Sequence, residues 1–476
     1  MSDSPTTQAH SVSPRSLPES LRSLPSVGRI LELLDCDLPR PLTRDLVRLA
    51  IQEARERLLS GGAPRGDAEL IEWVLQAVER ATTPAIRPAI NATGTILNTG
   101  LGRAVLPASA VENLIRVATG HSTLEVDPDS GRRGSRLIGV SRLLCELVGC
   151  ADAVVVNNNA AAVFMSIRVL AAGKEVIVSR GQQVEIGGQF RIPDVIAEAG
   201  ARMVEVGTTN KTRLSDYERA IGPETALILH VHPSNYRLVG FVESVSPPEL
   251  AKLSRSRGIL SMSDLGSGAL VDLSAYGIPG EPTVSSVLDA GLDLCTWSGD
   301  KLLGGPQCGI ITGCAEVIER IKSDALMRVV RVDKLTLSAL ESTLSLYRDS
   351  SSACSRIPTL WAITRSLADV TAEAERIRST LQNLAARKIR AEVVPCFSQV
   401  GGGSLPGEEI PSAALDVECD ELAPGEFARS LRVGIPAVFG RISHNRLLLD
   451  VRTVHPNEEE PLARAIASAA INDERL

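Results

Sequence analysis

The sequence predicts an α/β protein: a mostly parallel, seven-stranded sheet with crossover helices, a small helical unit before it and an α+β segment after it. Three observations predict this. Seven short β-branched runs, Ala153–Val156, Glu175–Val178, Met203–Val206, Ala226–Val231, Ile259–Met262, Leu292–Thr296 and Gly309–Thr312, alternate with helix-length stretches, the pattern of buried parallel strands joined by helices. The 476 residues are 44% hydrophobic and 22% charged, enough for two or three domains with large cores. Up to about residue 88 the chain has helical apolar spacing only.

Residues 1–23 are rich in Ser, Thr and Pro and lack an apolar core, so a flexible tail is expected and not a secretory signal. Residues 24–88 form the expected helical unit. Its first helix runs from Ser26 to Leu34, its second opens at Pro41 and Thr43 and stops at Gly61-Gly62, and its third covers about 67–81. Every cation in it is Arg. Arg40, Arg44, Arg48 and Arg55 fall within about 80° of one another on a helical wheel. Such a stripe reads either as a solvated face, balanced by Asp45, Glu53 and Glu56, or as a phosphate-gripping surface.

The sheet domain is expected over 89–345 and an α+β small domain over 346–476. Amphipathic helices are predicted over about Thr336–Tyr347 and Ile363–Lys388. The Gly401–Ser404 loop and strands near Ala413–Val417 and Ala437–Ile442 follow, then a turn at Ser443–Asn445, the segment Arg446–Thr453 and a closing helix.

Composition excludes several classes. No run reaches the ~18 apolar residues of a membrane span. Nine cysteines without a C-x-x-C pair predict reduced, buried thiols in the cytoplasm and no zinc site. A net charge of −7 argues against sequence-blind nucleic-acid coating, and 3% aromatics against recognition by base stacking. Local phosphate contacts stay open.

Three motifs follow strands, where ligands of parallel sheets gather. In Ser298-Gly-Asp-Lys301-Leu-Leu-Gly-Gly, a lone Lys stands in an apolar, Gly-rich turn, where desolvation lowers an amine's pKa and favours Schiff-base chemistry. A surface ammonium is the alternative. Asp264, in Ser263-Asp-Leu-Gly-Ser-Gly, reads as a helix cap or as a carboxylate that keeps a pyridinium protonated. Asn157-Asn158-Asn159 opens an Ala-rich helix and reads as an N-cap or as a phosphate cradle at the helix dipole. Ser298 could add a hydroxyl. Together they spell a pyridoxal phosphate pocket.

These segments, with Gly-Arg-Arg-Gly-Ser-Arg at 131–136, Val-Gly-Thr-Thr-Asn-Lys-Thr at 206–212, Asn-Thr-Gly-Leu-Gly-Arg at 98–103, Ser-Asn-Tyr-Arg at 234–237 and Arg-Val-Asp-Lys-Leu-Thr-Leu at 331–337, resemble the bacterial selenocysteine synthases, the L-seryl-tRNA(Sec) selenium transferases. The similarity runs over essentially the whole chain. It implies a fold-type-I pyridoxal phosphate (PLP) transferase with a tRNA-binding helical domain at 24–88, assembled as a homo-oligomeric ring of dimers, with a decamer expected. By matching position, Lys301 would hold the cofactor covalently and Asp264 would pair with its ring nitrogen. Arg103, Arg136, Arg328 and Arg331 would form an anion pocket for selenophosphate. Two stretches depart from the family pattern: His121 stands where a tyrosine is common, and Ser323–Leu326 replaces a His-Pro-Leu. His232 and Asn235 follow a strand and are candidates to touch the cofactor ring or its hydroxyl; a satisfied core histidine is the other reading of His232.

The implied reaction removes the Cα proton of serine esterified to tRNA(Sec), with Lys301 as base, expels water and adds selenium from selenophosphate. An esterified carboxyl needs no arginine clamp, so Arg441 is expected to be structural. Two rivals remain: a PLP-dependent lyase acting on a small amino acid or sugar acid, and a catalytically silent tRNA-binding homologue.

Overall fold

The computed structural model describes residues 24–34, 39–60, 84–188, 190–384 and 389–470, together with 72, 75, 76 and 78. The chain divides into two compact units, 1–88 and 89–476.

In the first unit, helix α1 (Val27–Leu33) is capped by the Ser26 hydroxyl, which accepts from the Arg29 N–H. Helix α2 (Arg40–Leu59) starts with a proline in its first turn and buries Thr43, Val47, Ala50 and Leu58. Val47 and Ala50 pack with Ile30 and Val78. Arg40, Arg44, Arg48 and Arg55 all lie on the exposed side, and the Arg48–Asp45 ion pair at 3.5 Å is between two well-exposed side chains, so it holds the stripe only weakly. Most of the helix expected at 67–81, and the tail at 1–23, lie outside the described residues.

The second unit is built on seven strands: β1 (Asp152–Val156), β2 (Glu175–Ser179), β3 (Arg202–Val206), β4 (Thr225–Val231), β5 (Leu260–Gly266), β6 (Leu294–Ser298) and β7 (Gly309–Gly313). Their spatial order is β1-β7-β6-β5-β4-β2-β3. Only β7 runs antiparallel to its neighbours. The runs read as strands because they are apolar on both faces. Ala153 and Val155 of β1 pack into one core with Ile177, Trp297 and Leu340, while Val154 and Val156 pack into the other with Val178, Leu229 and Met262.

The C-terminal layer has its own core, around Leu415, Phe427, Leu449 and Ile466. Its main feature is a hairpin, β8 (Ile389–Gly401) and β9 (Ser404–Cys419), much longer than the strand expected near 413–417. The run 437–442 splits at Gly440. Ala437–Phe439 pairs in parallel with Ala89–Asn91, and Arg441–Ser443 joins the hairpin's sheet through Arg446–Asp450. The helix expected at 363–388 is two helices, Pro358–Thr364 and Leu367–Leu384. The cores also part elsewhere than at 345/346: Tyr347, Ile357 and Ile363 pack against the large sheet, whereas Ile90 and Ala92 belong to the C-terminal core.

Candidate active site

Strands β5 and β6 are neighbours and β1 lies one strand further on, across the antiparallel β7, so all three end at the same edge of the sheet, and each end delivers one of the motifs. Asp264 lies near the end of β5, beside Val231 of β4 and Thr296 of β6. Its side chain is buried, and Oδ1 accepts from Asn159 Nδ2 at 2.9 Å and Thr296 Oγ1 at 3.2 Å. Burial raises the carboxyl's pKa, while the Asn159 hydrogen bond and the Lys301 charge work to keep it ionised.

Lys301 follows β6 by three residues and is only 5% exposed. Its Nζ donates to the Gly403 carbonyl at 3.4 Å. Burial lowers its pKa; the Asp264 charge opposes that shift and the Arg103 charge reinforces it. The two groups therefore share one dry pocket, each sensing the other's charge.

Gly266 and Gly403 are both left-handed, with φ of +72° and +70°. A Cβ on either would lie within 3.8 Å of Lys301 Nζ, so bare backbone surrounds the amine. The third motif ends β1. The Asn158 side chain caps the helix Asn159–Ala171 by accepting from Ala161 N at 2.8 Å. The Asn157 N–H is tied to the Val330 carbonyl, and Ser298 is buried at the end of β6.

The other expected residues make contacts of their own. Asn235 is exposed and its amide donates to the Glu185 carbonyl at 2.8 Å. His232 lies at the edge of the site: its main-chain N–H donates to the Asp264 carbonyl, and its Nε2 is 3.6 Å from Glu281 Oε2. Arg103 pairs with Asp300 at 2.7 Å, next to Lys301. Arg136 and Arg331 gather on a different carboxylate, Glu125, together with Arg133, and the hydrogen bonds from Arg136 and Arg133 hold its carboxyl below the usual range. Arg331 bridges through its backbone to Val156, the last residue of β1. Arg328 is exposed and has no ion pair among the described residues. Arg441 donates to Asp450 and to the Thr93 carbonyl, a structural contact as expected.

Sequence reasoning missed Thr296, Asp300, Gly403 and Glu281. Only Gly403 carried a signal, three consecutive glycines, and nothing in the sequence joins that loop to Lys301.

The residues fit a pyridoxal phosphate. Asn159 Oδ1 and Ser267 Oγ, on residues flanking Asp264 in space and in sequence, are buried without a hydrogen-bond partner, and orphaned polar atoms of this kind ask for a ligand. The helix N-terminus beside them offers free amides for a phosphate.

The fold is that of the fold-type-I PLP enzymes. Among solved structures, a D-glucosaminate-6-phosphate ammonia-lyase superposes with a TM-score of 0.57 at 18% identity, covering 83% of this chain and 99% of that one. The family model for L-seryl-tRNA selenium transferase matches residues 89–455, and the chain belongs to that family. Curated L-seryl-tRNA(Sec) selenium transferases are similar over nearly their whole length. The protein from Moorella thermoacetica is 45% identical over 454 residues, 94% of this chain and 97% of its own. That from Geobacter metallireducens is 44% identical, covering 94% and 98%, and that from Rhizobium meliloti 44%, covering 93% and 96%. Among the described residues no helix is long and apolar enough to cross a membrane.

Proposed function

We propose that this protein converts seryl-tRNA(Sec) to selenocysteinyl-tRNA(Sec) in the cytoplasm, using bound PLP and selenophosphate. The observation that carries the reading is the burial of Lys301 and Asp264 at adjacent strand ends, near enough for each to act on the other's charge, in a chain 45% identical to a transferase of that name.

Lys301 and Asp264 would hold the cofactor at its two ends, with the Asn157–Asn159 turn, the following helix amides and Ser298 around its phosphate. When bound, the pyridine ring supplies an electron sink for the bond between the seryl Cα and its proton. Asp264 would face the ring nitrogen, and the hydrogen bonds that Asn159 and Thr296 donate to it oppose the burial that raises its pKa. Lys301 Nζ, with its lowered pKa, is the group placed to take the Cα proton and to return one to the departing hydroxyl. The Gly403 carbonyl orients that amine, and the closed setting excludes bulk water. Selenophosphate, a small multivalent anion, suits the guanidiniums of Arg103, Arg136, Arg328 and Arg331. The exposed arginine face of α2 suits tRNA phosphates. Exposed apolar residues such as Val239 and Phe241, each 87% accessible, favour a homo-oligomer of dimers.

The test is direct. Purified protein with seryl-tRNA(Sec) and selenophosphate should place selenium on the tRNA. Borohydride reduction followed by peptide mapping should place a pyridoxyl group on Lys301. Turnover of free amino acids with none of seryl-tRNA(Sec) would favour the small-substrate lyase.

A further inference from the structure

Beside the lysine pocket lies a cavity of about 460 Å3 to which the reading above assigns no occupant. Three features tie it to the reacting centre. His232 is on its wall, and the same residue's N–H donates to the Asp264 carbonyl. Glu281 is on its wall, and its charge reaches Lys301. The hairpin that presents the Gly403 carbonyl to Lys301 continues directly into Leu405 and Pro406, which line the cavity. Leu405 is held at φ +51°, a left-handed conformation that a leucine adopts only where its surroundings impose it.

The chemistry of the walls selects the occupant. Glu281, Glu243 and Glu408 line the cavity; Glu408 pairs with Arg237 at 3.4 Å and Glu243 with Arg213 at 3.3 Å, which among the described residues leaves Glu281 as the carboxylate with no arginine against it. That buried carboxylate would repel the free carboxylate of an unesterified amino acid. The volume falls in the range of pockets for ligands far larger than serine. Glu281 adds a specific demand. Its side chain is 2% exposed, and its Oε1 has no hydrogen-bond partner. A buried carboxylate oxygen needs a donor. The matching ligand is uncharged, of nucleoside size, and carries a hydroxyl beside the reacting end.

We propose that this cavity seats the 3′-terminal nucleoside of the aminoacyl-tRNA, with Glu281 Oε1 accepting a hydrogen bond from the ribose hydroxyl next to the ester. The assignment rests on the proposed function and deepens it: the protein would select serine carried on a nucleoside and reject free serine through the same buried carboxylate.

The experiment uses the full-length, PLP-loaded protein and calorimetric binding of stable amide analogues. The probes are 3′-deoxy-3′-(L-serylamino)adenosine, its 2′-deoxy counterpart and serinamide. The nucleoside analogue should bind at least about tenfold more tightly than serinamide, and loss of the 2′-hydroxyl should remove about tenfold, the worth of one hydrogen bond to a charged acceptor. Thr209, exposed on the cavity wall, gives a filling variant. T209W should lose the nucleoside advantage and bind serinamide as before. E281Q should shrink the gap between the 2′-hydroxyl and 2′-deoxy probes. Equal binding of nucleoside analogue and serinamide, or an unchanged advantage in T209W, overturns the proposal. Where that result accompanies selenium transfer to tRNA, the cavity assignment alone falls and the function stands.

Discussion

The cradle expected for the cofactor phosphate can be tested at a residue that would never touch the cofactor. Gly309 opens β7, paired with Val156 on one side and Ser298 on the other, so it is wedged between two turns that build the site. A Cβ at this position would stand 2.1 Å from the Asn158 carbonyl oxygen and 2.8 Å from the Asn159 nitrogen. Both neighbours are backbone. Restoring ordinary contact requires moving that peptide by about 1 Å, and overpacking of this kind costs about 1–3 kcal/mol. The displaced peptide carries the Asn158 cap and the Asn159 amide that holds Asp264, and loss of the cap adds about 1 kcal/mol. A site misplaced by about an ångström loses on the order of a hundredfold in function.

Gly309→Ala should therefore lower PLP affinity by about 10- to 100-fold and lower the thermal midpoint. The assay is titration of cofactor-free protein with PLP, followed by absorbance, with a thermal melt of each sample. Gly425→Ala is the control: its Cβ would meet nothing within 4 Å, so cofactor binding should not change. A Gly309→Ala protein that binds PLP within about twofold of wild type and melts unchanged would refute the idea that this close approach sets the cradle.

Three further outcomes are expected. Asp450 is fully buried and accepts from Ser398, Ser412 and Arg441; Asp450→Asn strands the Arg441 charge and should cost about 3–5 kcal/mol in denaturant unfolding of the C-terminal layer. His230, hydrogen-bonded to Ser263, has a pKa pushed by burial from 6.5 to about 4. The unfolded chain then binds the extra proton between those values, so stability is intact above about pH 6.5 and falls by up to about 3 kcal/mol as pH drops toward 4, a loss that His230→Gln should abolish in pH-dependent melts. Neutralising Arg44 and Arg48 together on the exposed face of α2 should weaken tRNA binding and reduce its log–log salt slope by about one to two, whereas an unchanged slope would return the stripe to a solvated surface.

The large sheet was legible because its strands are buried on both faces, and a run such as Ala153–Val156 has no polar position to confuse the period. The C-terminal hairpin was not. Along β8 half-buried and exposed residues mix and only Ser398 and Val400 are buried, Pro395 and Pro411 stand inside the paired strands, and long-range pairing alone aligns them. The proposed catalytic pair was legible for a local reason: Lys301 follows a strand, Asp264 sits near the end of the neighbouring one, and a parallel sheet brings such ends together. Thr296 and Glu281 were invisible because their roles depend on partners 32 and 49 positions away (Asp264 and His232). The arginines were legible as charges but not as a set. Sequence spacing cannot reveal that Glu125 collects Arg133, Arg136 and Arg331 while Asp300 takes Arg103.

That division of the arginines bears on the amine itself. Burial is the largest influence on Lys301 and lowers its pKa; the Asp264 charge is the largest opposing one, and the Arg103 charge acts in the same sense as burial. The two neighbours therefore push in opposite directions on one titration. Asp264→Asn removes the stabilising anion, so the ammonium form should be lost at lower pH than in the wild type. Arg103→Gln removes a repelling cation, so it should be lost at higher pH. Reductive methylation of cofactor-free protein with formaldehyde, scored at the Lys301 peptide across a pH series, reads the free-amine fraction without any turnover. Opposite displacements of the two profiles fit a single dry pocket shared by the three charges. Profiles that move together, or not at all, would mean that solvent reaches the amine and screens both neighbours, and burial beside Asp264 could no longer explain how this lysine is made ready to accept a proton.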